Sequence, residues 1–260
     1  MKVKISCLQM DIAFGDPNKN YQNAEKLIKE AMKEKPDIIV LPELWTTGYD
    51  LTRLDTIADK GSAKTIDFLK NAAKKYKVHF VGGSVANQSD NGVKNTLIII
   101  DNNGQLVHSY SKLHLFKLMH EHLYLKAGDE KGLFQLDNRN FAGVICYDIR
   151  FPEWIRAHTS EGAEVLFVVA EWPSPRLSHW RSLLIARAIE NQCFVIACNR
   201  SGHDPNNEFA GHSMLIDPWG AVIAEAGAKE EILSAVIELD LVKDIRKQIP
   251  IFEDRRPDFY

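Results

Sequence analysis

The chain has 260 residues, with 45% hydrophobic and 26% charged side chains and a formal net charge of −3. At this length a single large α/β domain can bury roughly 70–75% of its unfolded surface, and no basic block or basic–aromatic repeat offers a nucleic-acid groove. The longest purely apolar run, Val165 to Ala170, is far short of a membrane span, and Gln9 and Asp11 interrupt any signal-like apolar core at the N-terminus.

The predicted elements begin with a strand from Lys2 to Met10, closed off by Asp16-Pro17-Asn18. Asn20 to Glu34 reads as an amphipathic helix, because Ala24, Leu27, Ile28, Ala31 and Met32 share one face at helical spacing. Asp37 to Leu41 is a short buried strand that runs straight into Pro42-Glu43-Leu44-Trp45. Ser62 to Tyr76 is a second helix, with Ser62 as its cap and Ile66, Leu69 and Ala73 inward. Strands follow at Val78 to Val85 and Asn95 to Asp101, then the hairpin signal Asn102-Asn103-Gly104 and a returning strand from Gln105 to Lys112. Leu113 to Gly132 reads as a long functional loop with some helix.

After the turn residues Asn138, Arg139 and Asn140, the apolar Phe141, Val144 and Ile145 form a strand that stops at Cys146. Pro152-Glu153-Trp154 then opens a helix, where the missing proline N–H costs nothing. The strand Glu164 to Ala170 leads through Trp172-Pro173-Ser174-Pro175-Arg176 to a helix from about Leu177 to Asn191. Strands at Cys193 to Asn199, Ser213 to Asp217, Ala221 to Ala226 and Leu233 to Glu238 complete the pattern, with Asp217-Pro218-Trp219-Gly220 as a turn. A tail follows, whose aromatics need somewhere to pack. Strands interleaved with helices, with a hairpin between them, predict an α/β protein with mixed sheets and a single domain over 1–260.

Three reactive residues stand at predicted strand ends: Glu43, Lys112 and Cys146. Strand ends are where sheet proteins gather reactive groups. Cys146 also sits near the positive pole of the predicted helix, which favours thiolate. Each residue has an ordinary alternative: a turn carboxylate for Glu43, a snorkelling lysine for Lys112, a small buried hydrophobe for Cys146. Together they make chemical sense. Moving a proton from a thiol to a glutamate is uphill by about four pKa units, roughly 6 kcal/mol in water. Burial of the carboxylate and a neighbouring ammonium narrow that gap, and the same ammonium can hold an oxyanion. The four cysteines, Cys7, Cys146, Cys193 and Cys198, include no C-x-x-C pair, so a reducing compartment, the cytoplasm, is expected.

Leu41-Pro42-Glu43, the segment Ser111-Lys112-Leu113-His114-Leu115-Phe116 and the run from Cys146 to Glu153 resemble, in that order, the three signatures of the nitrilase superfamily of carbon–nitrogen hydrolases. With Ala186-Arg187-Ala188-Ile189-Glu190-Asn191 and Asp217-Pro218-Trp219-Gly220, the resemblance covers nearly the whole chain. It implies a four-layer α-β-β-α sandwich and a triad of Glu43 as general base and acid, Lys112 as oxyanion stabiliser and Cys146 as nucleophile. It also implies the Tyr147 backbone N–H in the oxyanion hole, Glu121 as a second glutamate, and pairing into at least a homodimer with the C-terminal tail (about 241–260) at the interface. The run from Ala170 to Arg176 with Trp180 and Leu183-Leu184 is most similar to the bacterial ω-amidase branch, which hydrolyses the terminal amide of 2-oxoglutaramate and 2-oxosuccinamate. A half-amide substrate calls for a cation and an apolar wall, for which Arg176 and Trp172 are the candidates.

Other chemistries fit less well. There is no G-x-S-x-G elbow, and Gly211-His212-Ser213 lacks the closing glycine. His114, His120 and His122 lack metal-site spacing, so neither metal nor cofactor is expected. An N-carbamoyl amidase or nitrilase on the same fold, or a catalytically silent interaction subunit, are the alternatives.

Overall fold

The early strands are apolar on both faces, so each must be covered twice. The structure, a computed structural model, describes residues 1–259. Its first half runs β1 (Lys2–Gln9), α1 (Pro17–Ala31), β2 (Ile38–Val40), α2 (Leu54–Ile57), β3 (Asp59–Lys60), α3 (Ala63–Tyr76), β4 (His79–Ser89), β5 (Gly92–Ile100), β6 (Leu106–Ser111) and α4 (Glu121–Tyr124). The second half runs β7 (Leu133–Leu136), β8 (Arg139–Ile145), α5 (Pro152–Thr159), β9 (Val165–Ala170), α6 (Leu177–Asn191), β10 (Phe194–Asn199), β11 (Met214–Ile216), β12 (Val222–Glu225), β13 (Glu231–Glu238) and α7 (Asp240–Gln248).

Two mixed sheets result. One has the order β13-β1-β2-β4-β5-β6, with β3 beside β4, and the other β12-β11-β10-β9-β8-β7. Each has parallel strands at its centre: β1, β2 and β4 in the first, β8, β9 and β10 in the second. Antiparallel strands flank them, such as β13 along the whole of β1. Side-chain alternation then assigns the layers. Ile5, Cys7, Ile38, Val40, Val81, Leu97 and Ile99 pack with Phe141, Phe167, Ile196 and Cys198 of the other sheet. The alternate residues Leu8, Ile39, Leu41, Phe80, Ile98 and Ile100 pack with Ala24, Leu27 and Ile28 of α1 and Leu69 and Ala73 of α3. On the far side, Ile155 of α5 and Trp180, Leu184 and Ala188 of α6 join the core of the second sheet. The expected four-layer α-β-β-α sandwich is what forms.

Local differences from the sequence reading have physical causes. Asp16-Pro17-Asn18 does not close the first strand but starts α1: Asp16 accepts from the Lys19 N–H and Pro17 takes the first helical position. Ser62 stands before α3 without capping it, having φ +56°; Asp59 accepts from Lys64 N–H and Thr65 N–H instead. Arg139 and Asn140 are not turn residues but lie in β8, paired with Leu136 and Gln135. The turn is Asp137-Asn138, both with positive φ, as a two-residue hairpin of the favoured hand requires. The expected tail is in part a helix: Val242 and Ile245 of α7 are buried, and Arg246 donates to the Ala163 carbonyl at 2.8 Å. Beyond it Phe259 is exposed with the Arg256 guanidinium over its ring, and Tyr260 lies outside the described residues.

Candidate active site

Glu43 follows β2 after Leu41 and Pro42, on a turn in which Leu44 has φ +40°. Two devices fix that turn against β4. The buried Trp45 indole donates to the Gly82 carbonyl at 2.9 Å. Gly83 lets the backbones meet: a Cβ there would stand 2.3 Å from the Pro42 carbonyl oxygen, and its φ of +67° also suits glycine. Glu43 is fully buried. Its Oε1 accepts from Lys112 Nζ and Asn95 Nδ2, each at 2.8 Å, and its Oε2 accepts from the Glu171 backbone N–H at 2.9 Å.

Lys112 comes one residue after β6, where its own N–H donates to the Asn95 carbonyl at 2.8 Å. Its Nζ reaches Glu43 Oε1 at 2.8 Å and Glu121 Oε1 at 2.6 Å, with all three side chains excluded from solvent. Burial pulls the Lys112 pKa down, but the carboxylates of Glu121 and Glu43 outweigh it and hold the ammonium well above its ordinary range. An ammonium has three donors. Two are taken, leaving one for a substrate oxygen.

Glu121 opens α4 after His120, which has φ +60°. The loop from Leu113 to Gly132 thus supplies an acidic partner for Lys112, with Glu121 Oε2 accepting from Phe116 N–H at 2.6 Å. Burial raises the Glu121 pKa against the pull of Lys112. Tyr49, also buried, places its hydroxyl 2.5 Å from Glu121 Oε1 and 3.1 Å from Glu43 Oε1. Burial and both carboxylates push its pKa up, so it stays a donor.

Cys146 ends β8 with φ +45°, a left-handed conformation that costs a residue with a Cβ about 1–2 kcal/mol. What holds it there is Asp148. Its Oδ2 accepts from Ile145 N–H at 3.0 Å and the Tyr110 hydroxyl at 2.8 Å, while Oδ1 accepts from the backbone N–H and ring Nδ1 of His114. The cysteine elbow and the segment after Lys112 are therefore tied through one buried carboxylate. Burial, then the charge of Glu43, pushes the Cys146 thiol well above its usual range, with Lys112 pulling the other way. The helix-pole argument is incomplete: a 3-10 turn, Cys146–Arg150, intervenes between Cys146 and α5, and burial with the charge of Glu43 acts on the thiol in the opposite direction. Tyr147 is the second residue of that turn, where the N–H has no acceptor within the turn itself.

Cys146 opens onto a cleft lined by Phe116, Met119, Tyr147, Arg150, Glu171, Trp172 and Arg176 among others, with a free volume of about 10 Å³. That is room for about one water. A larger hollow of about 530 Å³, lined by Arg139, Glu164 and Arg246 among others, contains none of these groups. Trp172 is nearly fully buried and is fixed at both ends, its backbone N–H donating to Asn199 Oδ1 at 2.6 Å and its indole to the Arg176 carbonyl at 2.8 Å. The Arg176 guanidinium lies 5.5 Å from the Phe116 ring centre, and that of Arg150 lies 4.9 Å from the Trp172 ring centre. Among the described residues neither guanidinium has a carboxylate in salt-bridge range.

Of the seven residues singled out from the sequence, Cys146, Tyr147, Trp172 and Arg176 line the cleft, and Glu43, Lys112 and Glu121 form one buried ion-paired cluster whose charges act on Cys146. Tyr49, Asn95, Asp148, Arg150 and Glu171 were missed. Asn95 and Glu171 carried a signal, a polar residue at the end of an apolar strand, and Tyr49 carried none. Glu171 follows β9 and is fully buried; its Oε2 accepts from Arg200 Nη1 at 3.0 Å, and its Oε1 has no partner. Burial pushes its carboxyl up to about 8, against the pull of Arg200 and with the help of Glu43. No group of three or more His, Cys, Asp or Glu side chains suited to a metal occurs among the described residues.

The family model described as carbon–nitrogen hydrolase matches residues 4–247. A 2-oxoglutaramate amidase of Bacillus subtilis (strain 168) is 57% identical over 260 residues, covering 100% of both chains. Omega-amidase YafV of Escherichia coli (strain K12) is 32% identical over 254 residues, 97% of this chain and 96% of that one. Among solved structures, a CN-hydrolase superfamily protein from Xanthomonas campestris, with an arsenic adduct in its active site, superposes with a TM-score of 0.92. It is 31% identical, and the match covers 98% of each chain.

Proposed function

We propose that this chain, which belongs to the carbon–nitrogen hydrolase family and is an enzyme acting on amides, cleaves the terminal amide of a short half-amide of the 2-oxoglutaramate or 2-oxosuccinamate type. The observation that carries the reading is a cleft lined by Cys146 and by two guanidiniums without carboxylate partners, with the buried Glu43–Lys112 pair acting on that cysteine. The first can open an amide; the second can hold the carboxylate at the substrate's other end.

The steps follow from the geometry. Glu43 takes the Cys146 proton as sulfur attacks the amide carbon, so thiolate forms only as the new bond does. The oxyanion is met by the third Lys112 donor and the Tyr147 N–H. Glu43 returns the proton to nitrogen, ammonia leaves, and a thioester remains on Cys146. Water then attacks the thioester, giving its proton to Glu43, which passes it back to sulfur as the acid departs. Glu121 and Tyr49 act through Lys112 by fixing its Nζ.

Ammonia release from a panel of amides, nitriles and ureides tests the reading. Turnover confined to half-amides of short dicarboxylic acids is expected; preference for ureides or nitriles would make the chain an N-carbamoyl amidase or nitrilase instead. Arg176 is the proposed clamp and Trp172 the apolar wall. Removing a charge-assisted pair costs a few kcal/mol. Arg176→Ala should therefore lower kcat/KM for 2-oxoglutaramate roughly 10- to 100-fold, with little effect on an uncharged amide of similar length. Equal losses on both substrates would remove Arg176 from the clamp and leave Arg150 as the cation to test.

The chain is also read as a homo-oligomer of at least two copies. Ile189 and Trp219 are exposed, and Ile189 packs on the Gly220 side of the Trp219-Gly220 turn, so α6 and this turn offer apolar surface for a second copy. Light scattering at micromolar concentration should give at least twice 29.5 kDa. A monomer would remove the reading. No helix among the described residues is long and apolar enough to cross a membrane, and four unpaired cysteines suit the cytoplasm.

A further inference from the structure

Glu171 is buried, titratable and beside the triad, yet no step above uses its side chain. A carboxylate in such a place is costly unless its oxygens are filled. One is: Oε2 accepts from Arg200 Nη1. Arg200 is itself fully buried and spends its other donors on the carbonyls of Ser201, Ile12 and His203, with its plane on Phe209. The other oxygen, Oε1, is buried with no partner. Glu171 also lines the cleft of Cys146, and its backbone N–H is the donor to Glu43 Oε2, the oxygen of the base left clear of Lys112. The residue that carries this unfilled acceptor is therefore tied through its backbone to the oxygen that must exchange a proton with sulfur and nitrogen, and it lines the same cleft.

We propose that Glu171 is a specificity-determining residue that recognises a primary carboxamide, its Oε1 accepting a hydrogen bond from one N–H of the leaving –NH2 group. This rests on the amide-hydrolase reading and deepens it. The leaving nitrogen must face Glu43 to receive its proton. A primary amide has a second N–H on the same nitrogen. Two neighbours of Glu43 have an acceptor to spare, Asn95 Oδ1 and Glu171 Oε1, and of these residues only Glu171 is among those lining the cleft of Cys146. An ester or a carboxylate of the same acid has no such hydrogen. With the cleft empty, burial and the charge of Glu43 keep the carboxyl up to about 8 even beside Arg200; an N–H at Oε1 supplies the missing stabilisation of the ionised form. The ion pair with Arg200 fixes which oxygen is turned to the substrate.

The test uses Glu171→Gln. Arg200 only donates, so it selects the glutamine carbonyl oxygen and turns the side-chain NH2 into the cleft. A donor then faces a donor where an acceptor stood, with the volume unchanged. Wild type and variant are compared on 2-oxoglutaramate and on the 5-methyl ester of 2-oxoglutarate, which differ at the leaving group alone. The expected result is an amide-to-ester ratio of kcat/KM at least tenfold lower in Glu171→Gln. An unchanged ratio, whether both activities persist or both fall together, would assign Glu171 to holding Arg200 and overturn the proposal. If wild type turned over no primary amide while cleaving the ester, the amide-hydrolase reading would fail as well; normal amide turnover with an unchanged ratio sinks only the role of Glu171.

Discussion

Cys146→Ala is expected to lose on the order of 10³-fold or more in kcat while folding as the wild type does. The variant keeps the Cβ and the elbow's hydrogen bonds to Asp148, and loses only the sulfur proposed to form the thioester. Intact-mass spectrometry of the wild type with a slow ester should show one acyl adduct, mapped to Cys146. Cys7, Cys193 and Cys198 are all buried, and none shares a hydrogen bond with a carboxylate. An adduct on any of them, or full activity in the alanine variant, would refute the assignment of the nucleophile. The elbow adds a control that activity cannot give. With φ at +45°, Cys146 pays for its Cβ, and glycine does not. Cys146→Gly should therefore be more stable than Cys146→Ala by about 1 kcal/mol, read as a higher midpoint in denaturant. An alanine variant as stable as the glycine variant would mean that the elbow is relaxed.

The layers of this fold were legible because its strands are short, apolar and punctuated. Runs such as Ile38 to Leu41 and Val165 to Ala170 are buried on both sides, and the helices between them keep a regular apolar face. What escaped was decided by contacts beyond the local window. β7 is four residues long, and only pairing with β8 makes Leu133 to Leu136 a strand. Leu239, just before α7, and Val242 and Ile245 within it are buried at a spacing of three, which reads as little until the core is there to receive Leu239 and Val242. Asp59, not Ser62, caps α3 because the chain returns to it after the Gly61 turn.

The site was legible to a different degree. Glu43, Lys112 and Cys146 each end a strand, so position and chemistry coincided. The residues that set their properties did not announce themselves. Tyr49 reaches Glu121 and Glu43 from a loop with no periodicity. Asp148 looked like one polar residue inside the cysteine motif; it accepts four hydrogen bonds and ties that motif to the segment after Lys112. The helix-pole argument for a thiolate was incomplete for a related reason. A helix pole acts over one turn and is weak, whereas full burial beside a carboxylate is strong, and burial cannot be read from two adjacent motifs.

The charged partners of Cys146 should separate cleanly by variant. In Glu43→Gln the side chain cannot satisfy its surroundings in either orientation. If its oxygen keeps the bonds from Lys112 and Asn95, its NH2 confronts the Glu171 N–H; if it turns, the NH2 confronts two donors. A buried, unsatisfied N–H costs about 1–3 kcal/mol, so a modest fall in thermal midpoint should accompany loss of acylation on the order of 10³-fold. Lys112→Ala should differ. It removes the single cation shared by two buried carboxylates, and breaking such a pair costs about 3–5 kcal/mol, about 10 °C in a chain of this size. One of the carboxylates must then take up a proton, since like charges so close cannot both stay ionised in a dry site. The base is lost along with the oxyanion's ammonium, so Lys112→Ala is expected to be both nearly inactive and clearly destabilised, whereas Glu43→Gln is nearly inactive and only mildly so. Near wild-type kcat/KM in Lys112→Ala would reduce the lysine to a structural counter-ion. Equal destabilisation of the two variants would mean that Glu121 and Tyr49 do not depend on Lys112, and that the cluster is three separate groups and not one unit.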